Sequence, residues 1–318
     1  MAEISAQLVK QLREMTGAGM MECKKALVQA NGDLTRAVEV LRTLGLASAE
    51  KKGGRSTKQG LLGVKISADQ KRGVLAEVNC ESDFVARTED FQTLVEDITD
   101  HIVESKPTHV RQENVAQATS DAVALYEQKF AKDGNQTVSE LIKSKIAKLG
   151  ENIAVSRFET LAVEETGVVG SYVHTGAQVA TLVAVEAPGD ILKQEEFQTL
   201  VRDIAMHVTA TNPQFISRED VSAAALDKER SIQRERALKE GKPEKMVDKI
   251  VEGRLGKFYE EVCLLEQPFI KDNAITVGEL IKSKAKGGAI KVAQFVRYKV
   301  GEAADASGAE AAPLPVTA

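Results

Sequence analysis

A chain of 318 residues with 43% hydrophobic content is long enough for two or three compact units, each with a core of its own. Its 42 basic and 47 acidic residues leave a net charge of -5, so nothing draws the whole molecule to nucleic-acid phosphates or anionic membranes. Cys23, Cys80 and Cys263 are widely separated and form no Cys-x-x-Cys pair, which specifies neither a disulfide framework nor a zinc site.

Residues 5–45 predict three short helices. Ser5 caps the first, Thr16-Gly17-Ala18-Gly19 breaks it, Asn31-Gly32 ends the second, and Gly45 closes the third. Leu8, Leu12 and Met15, then Ala26, Leu27 and Ala30, then Leu34, Val38 and Leu41 recur at helical spacing and give each helix one face to bury. By residue type alone, Lys24 and Lys25 are a solvated face. Glycine and charge from Lys51 to Lys58 suit neither helix nor strand, and a linker is expected over 51–59.

Gly73 to Val78 then reads as an alternating strand entering a core, with Ser82, Asp83 and Phe84 emerging on the turn beyond it. Composition by itself folds Phe84 back into the core, since large aromatics are more often buried than presented. A helix is expected over Gln112 to Lys132, with Val115, Val123, Leu125, Tyr126 and Phe130 available for burial.

Two internal echoes organise the middle of the chain. Phe91-Gln92-Thr93-Leu94-Val95 returns as Phe197-Gln198-Thr199-Leu200-Val201, each after an apolar run that reads as a strand. Thr137-Val138-Ser139-Glu140-Leu141-Ile142-Lys143 returns as Thr276-Val277-Gly278-Glu279-Leu280-Ile281-Lys282, each followed by alternating residues. Two copies are too few for a solenoid, and a duplicated α+β core is the simpler account.

Between Pro213 and Pro268 the character changes to charged helices, with a stop and restart at Gly241-Lys242-Pro243. An antiparallel helical hairpin is expected, with Val221, Leu226, Ile232 and Leu238 facing Met246, Ile250, Val251 and Leu255. The alanine-rich tail beyond Gly301 lacks the large apolar residues needed to fold. The fold class is thus α+β, divided as 1–50 for the three helices, 51–59 linker, 60–162 first core unit, 163–212 and 259–275 second core unit, 213–258 inserted hairpin, 276–300 helix-strand module and 301–318 flexible tail.

Reactive constellations are missing. There is no Gly-x-x-x-x-Gly-Lys-Ser/Thr loop, and Gly17-Ala18-Gly19 joins helices without following a strand. His101, His109, His174 and His207 form no His-x-x-x-His pair. No cofactor, metal or covalent chemistry is expected. The first turns carry Glu3 and polar residues rather than a basic stretch before a long apolar run, and no window approaches a membrane span, so a soluble cytoplasmic protein is expected.

The segment Glu77-Val78-Asn79-Cys80-Glu81-Ser82-Asp83-Phe84-Val85-Ala86-Arg87 resembles the second signature of the elongation factor Ts family, with Ser82 where the family usually has threonine. Leu12 to Leu27, through Thr16-Gly17-Ala18-Gly19-Met20-Met21, is similar to its first signature. The resemblance covers about Ile4 to Val300. It implies a guanine-nucleotide exchange factor, not an enzyme, that binds elongation factor Tu carrying GDP and releases the nucleotide by disturbing its magnesium and phosphate site. It also implies that residues 1–50 resemble a ubiquitin-associated domain and that the hairpin is an inserted coiled coil, available for a homodimer. Carried over residue by residue, Ser82, Asp83, Phe84 and Val85 would dislodge the magnesium, while Lys24, Lys25, Leu149, Gly150, His174, Leu280 and Ile281 would form the partner interface. The alternative is an adaptor built on the ubiquitin-associated-like unit, which binds partners without changing nucleotide release.

Overall fold

The computed structural model describes residues 4–111, 123–285 and 288–302. Three helices come first: α1 (Ala6–Thr16), α2 (Met20–Gln29) and α3 (Leu34–Lys52). The Ser5 hydroxyl accepts from the Leu8 N–H and the Asp33 carboxylate from the Arg36 N–H, satisfying donors that a helix start leaves free. Val9, Leu12, Cys23, Ala26, Leu27, Ala30 and Ala37 close their core. Met15 does not join it and is 61% exposed, because the left-handed turn at Gly17 carries the chain away before α2 can cover it. Nor does Gly45 end the third helix, which runs on to Lys52 and shortens the expected linker. A Cβ at Gly45 would lie 3.0 Å from the Cβ of Ala147 on α6 (Val138–Leu149), so this glycine serves a close helix crossing.

The first sheet has the order β1 (Gln59–Ile66), β2 (Arg72–Cys80), β3 (Ile153–Ala162), all antiparallel. Between β2 and β3 lie α4 (Asp83–Ala86), α5 (Glu89–Ser105) and α6. The second sheet has the order β4 (Gly167–Val173), β5 (Val179–Glu186), β8 (Lys291–Lys299). Between β5 and β8 come α7 (Gly189–Leu192), α8 (Glu195–Thr211), α9 (Ala223–Lys239), α10 (Glu244–Val262), the short hairpin β6 (Pro268–Phe269) and β7 (Asp272–Thr276), and α11 (Val277–Lys284).

The sheets pack face to face. Leu62, Leu75 and Leu161 of the first meet Val169, Leu182, Ala184 and Tyr298 of the second. On the outer faces, Val74, Ala76 and Val78 pack on α5 and α6, and Val183 and Val185 pack on α8 and α11. Four layers result, helices outside two sheets. The middle strands β2 and β5 are consequently buried on both faces, and the alternation expected over Gly73 to Val78 is absent.

The two units follow one plan down to single side chains. His101 on α5 and His207 on α8 each place Nε2 against a glutamine Oε1, Gln128 at 2.8 Å and Gln267 at 2.9 Å. Each Nδ1 accepts a backbone N–H, from Ala131 and from Ile270, which fixes the proton on Nε2. Phe130 and Phe269 lie against these rings at 5.9 and 6.0 Å. Thr137 and Thr276 cap α6 and α11 through capping boxes with Glu140 and Glu279.

The helix expected over Gln112 to Lys132 is not found in its described part, and 112–122 lie outside the described residues. From Val123 the chain makes a tight turn at Leu125–Glu127 and another closed by the Asp133 N–H on the Phe130 carbonyl, and the Leu125 and Tyr126 N–H groups donate to the carbonyls of His109 and Val110 rather than back along a helix. In the second unit, α9 and α10 fill the corresponding interval. Their inner side is Leu226, Ala237, Val247, Ile250, Val251 and Leu255; Ile232, Leu238 and Met246, expected in the seam, are exposed. The Gln214 and Phe215 N–H groups both donate to the Val262 carbonyl, so this excursion begins and ends at one place.

A buried carboxylate ties the sheets together at their edge. Glu77, 1% exposed, accepts from Asn79 Nδ2 at 3.0 Å, Arg157 Nε at 2.8 Å and the Gly301 N–H at 2.7 Å, just beyond β8.

Candidate functional site

Strand β2 ends with Cys80 pointing into the first core, where burial pushes its thiol up to about 12. The chain then turns. Ser82 is extended and its hydroxyl accepts from the Val85 N–H at 3.4 Å, which starts the single helical turn of α4. Within that turn Ala86 is buried and Val85 packs on the core, so the two residues before them must face out. Phe84 is 79% exposed and Asp83 lies beside it, its carboxylate 2.7 Å from Arg87. That ion pair is exposed, contributes little, and can be exchanged for a partner's charges. Immediately after, Thr88 caps α5 and Phe91 enters the core, pinning the far end of the tip.

The near end is pinned from α6. Gly150 ends that helix in the left-handed conformation, φ 82°, and Leu149 packs back on the core. The next residue, Glu151, accepts from the Glu81 N–H at 3.1 Å, the Ser82 N–H at 2.9 Å and the Ser82 hydroxyl at 2.5 Å. Glu81 in turn accepts from the Asn152 N–H at 2.6 Å, and the Asn152 side chain donates to the carbonyls of Gly53 and Arg55. Further along α6, Lys148 and Lys145 reach Asp90 at 2.8 and 3.2 Å and hold its carboxyl below the usual range, chiefly through the Lys148 bond. Lys148 also lies against Gly17, where a Cβ would approach its Cε to 2.6 Å. The three-helix unit, α6 and the tip are thus one continuous contact.

An open groove borders the tip, lined by Gly60, Leu62, Glu81, Asp83, Arg87 and Glu96. Its far wall is the β4–β5 turn, whose Ala177 carbonyl accepts from the Leu62 N–H and whose Gln178 donates to the Gly60 carbonyl. His174 opens this turn and is exposed, its ring 6.3 Å from that of Tyr172. Lys24 and Lys25 are exposed on α2, which also carries the exposed Met20 and Met21. On α11, Leu280 is partly buried. Ile281, expected at the interface, is 5% exposed and belongs to the second core, because the inward stripe of α11 runs through Val277 and Ile281.

Sequence reasoning missed Glu151, Glu81 and Asn152. An acid and an asparagine directly after a helix-ending glycine were the only signal. Among the described residues no cluster of three His, Cys, Asp or Glu side chains is placed to hold a metal ion, and no helix is long and apolar enough to cross a membrane.

The family model described as Elongation factor TS matches residues 81–302, a span that opens on the tip itself. The chain belongs to the elongation factor Ts family. It is 46% identical over 303 residues to the elongation factor Ts of Clostridium kluyveri, covering 94% of this chain and 93% of that relative. Against elongation factor Ts of Aquifex aeolicus it is 46% identical over 298 residues, covering 94% and 98%. Against that of Clostridium tetani it is 44% identical over 301 residues, covering 94% of each. These matches span 93–98% of each relative's length.

Proposed function

We propose that this protein promotes release of GDP from elongation factor Tu by binding energy alone, with Ser82, Asp83, Phe84 and Val85 as the part that disturbs the magnesium and phosphate site. The observation that carries this reading is Phe84 standing out into solvent on a turn that is fixed at both ends. A large aromatic left in water keeps its burial free energy available for docking, and it suits a hot spot in a partner's pocket. Asp83 beside it brings a negative charge that competes for the surroundings of a bound cation.

No covalent step is needed. A partner that prefers the nucleotide-free state weakens nucleotide binding by the factor by which nucleotide weakens its own binding, and each factor of ten corresponds to about 1.4 kcal/mol. An interface of ordinary size supplies several such factors. Lys24 and Lys25 on the ubiquitin-associated-like unit, Leu149 and Gly150 beneath the tip, His174 across the groove and Leu280 on α11 are the further contacts in this account. The protein works in the cytoplasm, and the exposed Ile232, Leu238 and Met246 on α9 and α10 offer a surface for a homodimer.

The test is release of a fluorescent GDP analogue from purified elongation factor Tu with wild-type protein and with Phe84→Ala. Acceleration by the wild type, lost in the variant, supports an exchange factor acting through the tip. Binding without any acceleration would instead fit an adaptor.

A further inference from the structure

We infer that Glu151 is a positioning residue for nucleotide release, holding the backbone at Glu81 and Ser82 so that Asp83 and Phe84 meet the partner in one orientation. This rests on the reading of the tip as the part that acts on elongation factor Tu.

The tip has little packing of its own. Only Val85 and Ala86 touch the core, and a single helical turn is far too short to be stable by itself. Its near end is oriented by the set of bonds to Glu151, one from each of two successive backbone N–H groups and one from the Ser82 hydroxyl, beside the Cys80 thiol that donates to the Ser82 carbonyl. Both carboxylate oxygens are used, Oε2 for the two N–H groups and Oε1 for the hydroxyl. The Ser82 oxygen accepts from the Val85 N–H while donating to Glu151, so the helix cap and the anchor are a single relay. Charge-assisted bonds of this kind are among the stronger hydrogen bonds. Glu151 stands at the end of α6, the helix that α3 packs against, so the anchor is itself braced by the three-helix unit.

Removing the carboxylate leaves the rest of the partner-facing surface in place. Encounter should persist while the productive orientation becomes rare. Glu151→Ala is therefore expected to lower the maximal rate of fluorescent GDP release from elongation factor Tu about tenfold, with the half-saturating concentration changed less than about threefold. Glu151→Gln is expected to recover most of that rate, because an amide oxygen still accepts from both N–H groups. In Phe84→Ala, adding Glu151→Ala should cost less than it does in the wild type, since one of the two groups being positioned is gone.

Amide hydrogen exchange of the free, full-length protein reads the placement independently of any partner. At Glu81 and Ser82 it should quicken about tenfold or more in Glu151→Ala, with the core amides of β2 unchanged. Unchanged protection at Glu81 and Ser82 would overturn the inference, as would a full maximal rate in Glu151→Ala. A Glu151→Gln variant as slow as Glu151→Ala would do so too, by making charge rather than hydrogen bonding the cause. If Phe84→Ala alone released GDP at the wild-type rate, the tip reading would fall even with the hydrogen-exchange result as expected, and the inference with it.

Discussion

Phe84→Ala should separate binding from folding. Because Phe84 keeps 79% of its surface in water, only about a fifth of the roughly 3 kcal/mol that full burial of a phenylalanine contributes is at stake, or about 0.6 kcal/mol. Alanine is the better helix former by about 0.5 kcal/mol, which offsets most of that loss within α4. Folding stability by urea denaturation should therefore change by less than about 0.5 kcal/mol. Phe91, seven residues on and fully buried in the first core, is the internal control: Phe91→Ala should cost about 3–5 kcal/mol. In binding the order reverses. Loss of an exposed aromatic anchor should weaken the complex with elongation factor Tu by about 1–4 kcal/mol, measured by titration calorimetry on protein shown to be folded. A stability loss near that of Phe91→Ala, with normal binding per folded molecule, would refute the argument by making Phe84 part of the core.

The buried rings of His101 and His207 have pKa values lowered from the usual 6.5, chiefly by desolvation. The unfolded chain takes up protons first as pH falls, so stability is full above about pH 6.5 and declines below it through the depressed native values, by up to about 1.4 kcal/mol per pH unit for each ring. Urea melts at pH 7.5 and 5.5 should show this decline, and it should be smaller in His101→Gln/His207→Gln; an equal decline would contradict it. Glu77→Ala strips Arg157, Asn79 and the Gly301 N–H of their shared acceptor and should cost about 3 kcal/mol by the same measurement, a loss under about 1 kcal/mol being the contrary result. Replacing 223–261 by a short Gly/Ser loop should leave a cooperatively folding protein that still accelerates GDP release, since Phe215 and Val262 are already hydrogen-bonded to each other. A folded variant without exchange would show that α9 and α10 are needed.

Local signals carried much of the architecture. Ser5 is a helix cap, Thr137 and Thr276 start helices in capping boxes, and the echo between Phe91 and Phe197 marks two helices in equivalent places on two sheets. Residues whose surroundings come from distant parts of the chain were less legible. Gly45 looked like a helix end because its reason for being glycine, Ala147, lies far along the chain. Periodicity offered Leu238 and Ile232 for the seam between α9 and α10, but close approach of two helices selected the small Ala237 instead. At the candidate site, Ser82 to Val85 were named through resemblance, while composition placed Phe84 in the core, where it does not lie. Glu151 stayed hidden because its donors stand about 70 residues upstream, joined to it only by the pairing of β2 with β3.

The central claim is that this chain expels nucleotide by preferring the empty GTPase, and it is tested most directly by closing a thermodynamic cycle. The affinity of the protein for elongation factor Tu should be measured with the GTPase nucleotide-free and saturated with GDP, and the affinity of GDP with and without the protein. The account predicts that the two ratios are equal and amount to at least about a hundredfold, or about 2.7 kcal/mol of coupling. Equal affinity of the protein for the empty and the GDP-bound GTPase would contradict it, because a ligand without preference shifts nothing however tightly it binds.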